Sequence, residues 1–277
     1  MQAYESNKLI CSALYKFNKQ PMKKLTLLLI LSFALVQYSA AKVRDFYQIQ
    51  VYRLKDKTQE QRVDNYLKSS YLPALHRAGI KTAGVFKPVV TDTISGKQII
   101  VWLPLSSLNQ LDKLQTKLLN DKTYQSEASE FLKAPFDQAP FERKESIILK
   151  SFPDAPIFNI PVFASNRSER IYELRSYESP TDYMFSQKLK MFNEGGEITL
   201  FKKLDFNAVF FGEVISGNTM PNLIYMTSFA NMSSHDEHWK AFGSHPDWKK
   251  LSAIKEYDHT VSKIVKILLT PTDYSDF

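Results

Sequence analysis

The chain has 277 residues, enough for one large or two small domains, with the 44% hydrophobic and 13% aromatic content of an ordinary globular protein. Its formal charge of +7 falls to +3 over residues 42–277, once five lysines and one glutamate before residue 42 are set aside; the rest are mixed along the chain, so no nucleic-acid partner is expected. Cys11 is the only cysteine, which excludes disulfides, thiolate nucleophiles and cysteine-held metals or clusters from residues 42–277.

Residues 22–41 read as a secretory signal. Lys23 and Lys24 form a charged start, Leu25–Val36 is a 12-residue run dominated by apolar side chains, and Ser39-Ala40-Ala41 supplies the small residues of a cleavage site. The run is too short for a membrane span, which takes roughly 20 apolar residues. Met22 then reads as the start and residues 1–21 as an upstream extension. The expected product, from about residue 42, is periplasmic or secreted and has no stable membrane span.

From residue 46 the chain reads βαββαβ. Phe46–Arg53 alternates apolar and polar residues as a half-buried strand does. Thr58–Ala78 is a helix with Val63, Tyr66, Leu67 and Tyr71 on its apolar stripe. Pro73 should kink it or split off a last turn, and Gly79 should cap it. Strands follow at Thr82–Phe86 and Gln98–Leu103, a helix at Leu105–Leu119, and a strand at Phe141–Phe152. The N-terminal domain therefore spans 42–152. Pro153, Pro156 and Pro161 mark 153–169 as a linker, packed on a surface because apolar residues lie between the prolines.

The order repeats over 170–277. Strand Arg170–Tyr177 is followed by helix Asp182–Phe192 and the loop Glu194-Gly195-Gly196-Glu197. A short helical piece ends at Leu204, and strands are expected at Phe206–Val214 and Leu223–Phe229. Helices at Ser234–Phe242 and Pro246–Tyr257 and a strand at Thr260–Leu269 close the domain. Tyr47-Gln48-Ile49-Gln50-Val51-Tyr52 lies 125 residues before Tyr172-Glu173-Leu174-Arg175-Ser176-Tyr177, a spacing that indicates an internal repeat. Two βαββαβ units, each with helices on one face of its sheet, can cover each other face to face. The expected fold is α+β: two tandem ferredoxin-like units forming a dimeric α/β-barrel arrangement within one chain. Ile49, Val51 and Leu174 are expected to face the helices. The polar side of the same strands would then face the space between the sheets.

Over about 170–277 the chain resembles the NIPSNAP family of the dimeric α/β-barrel superfamily. The resemblance rests on Ile171–Tyr177, Met191-Phe192-Asn193-Glu194-Gly195-Gly196-Glu197, Phe206–Glu213, Pro221–Thr227, His238–Phe242, Pro246-Asp247-Trp248 and Pro271–Ser275. The first half resembles a diverged copy, through Tyr71–Ile80 and Gly84-Val85-Phe86. The resemblance implies the fold more firmly than a function. Animal members have been linked to vesicle traffic and mitochondrial quality control, roles that do not suit an exported chain. The superfamily also includes small oxygenases and haem-handling enzymes, an analogy at the level of fold.

Candidate site residues are Glu173, Arg175 and Tyr177 with Gln48, Gln50 and Tyr52. Arg175 could hold a carboxylate or enolate while Glu173 moves a proton; the same residues could simply neutralise one another as a buried ion pair. Glu197 could line the mouth of a cavity, its glycines otherwise serving a turn that needs positive φ. His235, His238 and His245 could be read as metal ligands, but their spacing is not that of a zinc protease, and Ser244 could cap the helix begun by Pro246; no metal and no cofactor are expected. Phe210, Phe211, Trp239, Phe242 and Trp248 read as core. No G-x-S-x-G elbow occurs. The leading reading is a module that binds a small, largely apolar or aromatic ligand between the two sheets. A cofactor-independent or haem-linked monooxygenase and a structural barrel with a packed interior are the alternatives. A homo-oligomer paired through exposed strand edges is possible.

Overall fold

Alternation along the first strand sets the architecture. In strand β1 (Phe46–Arg53), Tyr47, Ile49 and Val51 point one way and Gln48, Gln50 and Tyr52 the other. The computed structural model describes residues 43–277, so the expected signal segment and Cys11 lie outside the described residues. Seven further strands follow: β2 (Gly84–Pro88), β3 (Gln98–Leu105), β4 (Arg143–Ser151), β5 (Ile171–Glu178), β6 (Phe210–Ser216), β7 (Asn222–Phe229) and β8 (Lys263–Pro271). They close into one antiparallel barrel in the order β1-β3-β2-β8-β5-β7-β6-β4. Each half thus lays down its strands in one order, β4-β1-β3-β2 and β8-β5-β7-β6, and the halves join at β2–β8 and β4–β6. Closure leaves none of the eight strands at an edge of the sheet.

The direction in which the strands face is the reverse of the sequence expectation. The barrel interior is apolar: Tyr47, Ile49 and Val51 of β1 meet Tyr172 and Leu174 of β5, with Phe86, Trp102, Phe210, Met226 and Leu269 around them. Gln48, Gln50, Tyr52, Glu173, Arg175 and Tyr177 point outward, beneath the helices. The physical reason is the supply of partners. A closed barrel has only strand side chains inside it, and an unpaired polar group buried there is costly. A helical layer instead brings its own hydroxyls, amides and charges to meet polar strand residues. One end of the barrel is stopped by Phe277, which packs 5.4 Å from both the Phe86 and Trp102 rings. Arg167 Nη1 holds this tail by donating to the carbonyls of Asp273 and Ser275 at 2.9 and 2.8 Å.

In the first half the helices are α1 (Lys57–Tyr66), α2 (Leu72–Ala78), α3 (Leu108–Asn120), α4 (Lys122–Glu127) and α5 (Ser129–Leu132). Asp56, Ser107 and Asp121 cap α1, α3 and α4 by accepting backbone N–H bonds. The helix expected over Thr58–Ala78 is split, but upstream of Pro73. Leu67–Tyr71 forms one π-helical turn, closed by Leu72 N–H donating to Leu67 C=O. Pro73 cannot donate to the Ser69 carbonyl, and its ring would collide with that carbonyl in a regular helix; widening the preceding turn relieves both. Gly79 caps α2 at φ +99°, as expected.

The second half carries α6 (Asp182–Phe192), α7 (Glu197–Lys203), α8 (Met232–Ser244) and α9 (Pro246–Ser252). Strand β6 begins at Phe210, later than expected, because Asp205 and Asn207 take positive φ and break the extended run. His245, not Ser244, caps α9: its Nδ1 accepts from Asp247 N–H at 3.1 Å. The proline-marked segment is packed on the barrel. Phe158 meets the Trp102 ring edge-on at 5.3 Å, and Asn159 N–H donates to Val209 C=O.

Candidate functional site

The outward polar faces form two clusters, one under each helical layer. Gln48, Gln50 and Tyr52 lie in one; Glu173, Arg175, Tyr177 and Glu197 lie in the other. The barrel wall separates them, so they do not make the single site expected between the sheets.

The second-half cluster is filled by its own charges. Arg175 Nε lies 2.9 Å from Glu173 Oε1, and its guanidinium stacks 3.4 Å from the Trp239 ring centroid. The Nε–H is not aimed at an acceptor, so the contact with Glu173 is ionic and not a directed hydrogen bond. Arg175 Nη1 donates to Tyr177 OH, which pairs with Tyr225 OH at 2.9 Å. His235, absent from the sequence candidates for this site, approaches Glu173 Oε2 at 3.3 Å through Nε2 and Asp236 at 2.8 Å through Nδ1. Burial opposes ionisation of Glu173, but the His235 hydrogen bond and the Arg175 charge outweigh it and lower its pKa. Burial likewise opposes the His235 cation, and bonding to Glu173 and Asp236 outweighs it and raises its pKa.

Deeper in the same layer, Lys188 Nζ meets Glu197 Oε2 at 2.9 Å, with both side chains buried. The glycine pair explains how Glu197 gets there. Gly196 takes φ +88° as the cap of α7, and a Cβ on Gly195 would stand 2.6 Å from the Met191 carbonyl oxygen. This chain turn folds the first residue of α7 back into the core. The cluster is therefore a neutralised ion network in which each cation faces a carboxylate.

The first-half cluster surrounds a cavity of about 640 Å³, within the range of small-molecule sites. Its floor is the outward face of β1 and β4: Gln48, Gln50, Tyr52, Lys144 and Ser146. Its walls are Tyr66 and Tyr71 of the first helices, Leu118 of α3, Tyr124 of α4 and Phe131 of α5. The π turn matters here. Bonding of residue i+5 to residue i puts Tyr71 over Tyr66, with rings stacked 5.5 Å apart at 21°. Phe131 stacks on the other face of Tyr66 at 3.8 Å.

Polar groups in the cavity form a chain. Gln48 Nε2 donates to Ser146 Oγ at 2.8 Å, and Gln50 Nε2 donates to Gln48 Oε1 and to Tyr71 OH at 3.1 and 2.9 Å. Tyr66 and Tyr124 share a 2.7 Å hydroxyl bond. Burial pushes the Tyr71 hydroxyl up to about 12. It also draws the Lys144 ammonium down from its ordinary value. That ammonium reaches over the Tyr52 ring, 5.8 Å from its centre. Gln48, Gln50 and Tyr52 were candidates from the sequence, whereas Tyr66 and Tyr71 read as helix stripe and nothing in the spacing of Tyr124 or Lys144 marks a cavity.

No group of three or more His, Cys, Asp or Glu among the described residues is placed to hold a metal ion. No histidine lines the cavity, and His235 is engaged at both ring nitrogens. These residues do not fit a haem held by a histidine.

The NIPSNAP family model matches residues 172–276. That is the half with the closed ion network, and the cavity lies outside the match. Among solved structures, a candidate monooxygenase from Lactobacillus acidophilus NCFM is similar over 82% of this chain and 94% of its own. Its TM-score is 0.53 at 12% identity. A candidate monooxygenase from Fusobacterium nucleatum is similar over 83% and 93%, with TM-score 0.53 at 8% identity. A NIPSNAP family protein from Agrobacterium tumefaciens str. C58 aligns over 43% of this chain and 97% of its own, at 18% identity and TM-score 0.36. At such identities likeness speaks to fold alone, here an α/β barrel. No curated protein matches the chain.

Proposed function

We propose that the protein binds a small, largely aromatic molecule in the first-half cavity, while the second half serves as a structural partner. The observation that carries this is the asymmetry of the two polar clusters: charges occupy one, and about 640 Å³ of space occupies the other. In this reading the two halves are tandem ferredoxin-like copies, and the polar strand face lines the 640 Å³ cavity in the first and an ion network in the second. The signal-like residues 22–41 support a location outside the cytoplasm in this reading. The test is native mass spectrometry with a panel of one- and two-ring aromatic acids, phenols and esters. An adduct that is lost in Ser146→Trp, which fills the floor, and kept in Glu173→Gln supports the reading. An adduct indifferent to Ser146→Trp, or none from the whole panel, overturns it.

A second reading, oxygenation of the molecule held there, draws on the monooxygenase names of two structures that share the fold. Oxygen uptake by the protein with each adduct-forming compound, abolished by Ser146→Trp, is its test.

A further inference from the structure

We propose that the molecule taken up by the cavity is a planar aromatic anion carrying a hydroxyl, its carboxylate met by Lys144 and Lys133 and its hydroxyl donating to Gln50 Oε1. This deepens the binding reading above and rests on it.

The first observation is charge. Two lysines line the cavity, and no aspartate or glutamate is among its lining residues. Neither lysine makes an ion pair with a described residue, whereas the strand neighbours Arg53 and Glu145 are paired to each other at 2.8 Å. The contrast with the second half is direct. There Arg175 and Lys188 each face a carboxylate at 2.9 Å, and the space between them is closed. In the first half the positions equivalent to Glu173 and Arg175 are Gln48 and Gln50, 125 residues earlier, so the strand floor brings neither carboxylate nor guanidinium and the lining cations are the two lysines. A ligand carboxylate supplies their counter-charge.

The second observation is an orphan acceptor. Gln50 is buried, at 3% exposure, and both of its amide bonds run through Nε2; Oε1 has no partner. Buried acceptors of this kind are rare without a reason. A ligand hydroxyl is a donor that satisfies it, and a carboxylate is not. The same ladder gives the spacing. Tyr52 faces Lys144 and Gln50 faces Ser146 across β1 and β4, so Gln50 and Lys144 are diagonal neighbours on one sheet face. Diagonal neighbours have backbones about 7–8 Å apart, so both long side chains open onto one cavity. The third observation is the lining: Tyr52, Tyr66, Tyr71, Tyr124, Phe131 and Phe141 give the cavity aromatic walls, which suit a planar ring system.

The test uses intrinsically fluorescent naphthalenes titrated against the folded chain: 6-hydroxy-2-naphthoate, its neutral methyl ester, and 2-naphthoate without the hydroxyl. The expected result is that the hydroxy acid binds at least about tenfold more tightly than the ester, a step of about 1.4 kcal/mol. Lys144→Met should erase that preference while leaving ester binding in place, since much of the side chain is exposed and its loss spares the core. Gln50→Leu should erase the preference for the hydroxy acid over 2-naphthoate. Equal binding of acid and ester, or an acid preference untouched by Lys144→Met, overturns the inference and leaves the cavity reading standing. Failure of all three compounds to saturate also overturns the inference, while the binding reading falls only if the whole aromatic panel gives no adduct.

Discussion

Replacing Arg175 by methionine tests the division between a structural and a binding half. The guanidinium is 2.9 Å from a Glu173 carboxylate that is itself only 2% exposed, and it covers the Trp239 ring at 3.4 Å. Arg175→Met removes one charge and leaves the other buried with His235 as its remaining charged partner. Breaking a buried pair in this way costs about 3–5 kcal/mol, a large part of the roughly 5–15 kcal/mol that holds a typical domain together. In a chain of this size that corresponds to a fall in Tm on the order of 10 °C. The double variant Glu173→Gln/Arg175→Met should lose less than the sum of the two single changes, by about 1–3 kcal/mol, because neither charge is then stranded. Urea unfolding of the four proteins measures the cycle, and an unchanged slope with denaturant shows that the folded states remain comparable. Naphthoate affinity should be the same in all four. A loss below about 1 kcal/mol with an additive cycle would refute the reasoning. Intact stability with lost affinity would do so in another way, by moving the site to the second half.

Further outcomes follow from the same geometry. His235→Gln should lower stability in a pH-dependent way. The raised His235 pKa contributes fully below its ordinary 6.5 and is lost as pH rises through the raised value. The lowered Glu173 pKa contributes above its ordinary 4.5 and is lost as pH falls through the lowered value. The Tm difference from wild type should therefore peak between those two values and shrink on either side; a difference that grows steadily toward alkaline pH contradicts the pairing. Gly195→Ala should cost about 1–3 kcal/mol by thermal unfolding, because its new methyl meets Met191 backbone atoms that cannot swing away. Tyr66→Phe should cost about 1 kcal/mol through the lost bond to Tyr124. Pro73→Ala lets the widened turn close into regular α-helix, so it should weaken naphthoate binding by moving Tyr71 off Tyr66 while Tm holds or rises. Unchanged affinity together with a crystal structure showing a regular helix would separate the π turn from the site.

Local chemistry was enough to read the strands and helices. The two-residue alternation of Phe46–Arg53 and Ile171–Glu178, the helix over Asp182–Phe192, the cap at Gly79 and the positive-φ turn at Gly196 all depend on a few neighbouring residues. The near-constant spacing of about 125 residues placed matching strands in the two halves. What alternation cannot say is which face meets which neighbour. The same strand pattern fits polar residues inside and aliphatic ones under the helices, or the reverse. Closure of eight strands decided it, because the enclosed interior takes aliphatic and aromatic side chains while the helices supply partners for charges and amides outside. The cavity depended on longer-range arrangement still. Lys144, Tyr66, Tyr71 and Tyr124 come from a strand, a helix, a π turn and another helix, and whether the space among them is filled or open is a matter of packed volume. In the second half Arg175, Lys188 and Trp239 filled it; in the first half the corresponding layer left it open, and only the tertiary structure could show that difference.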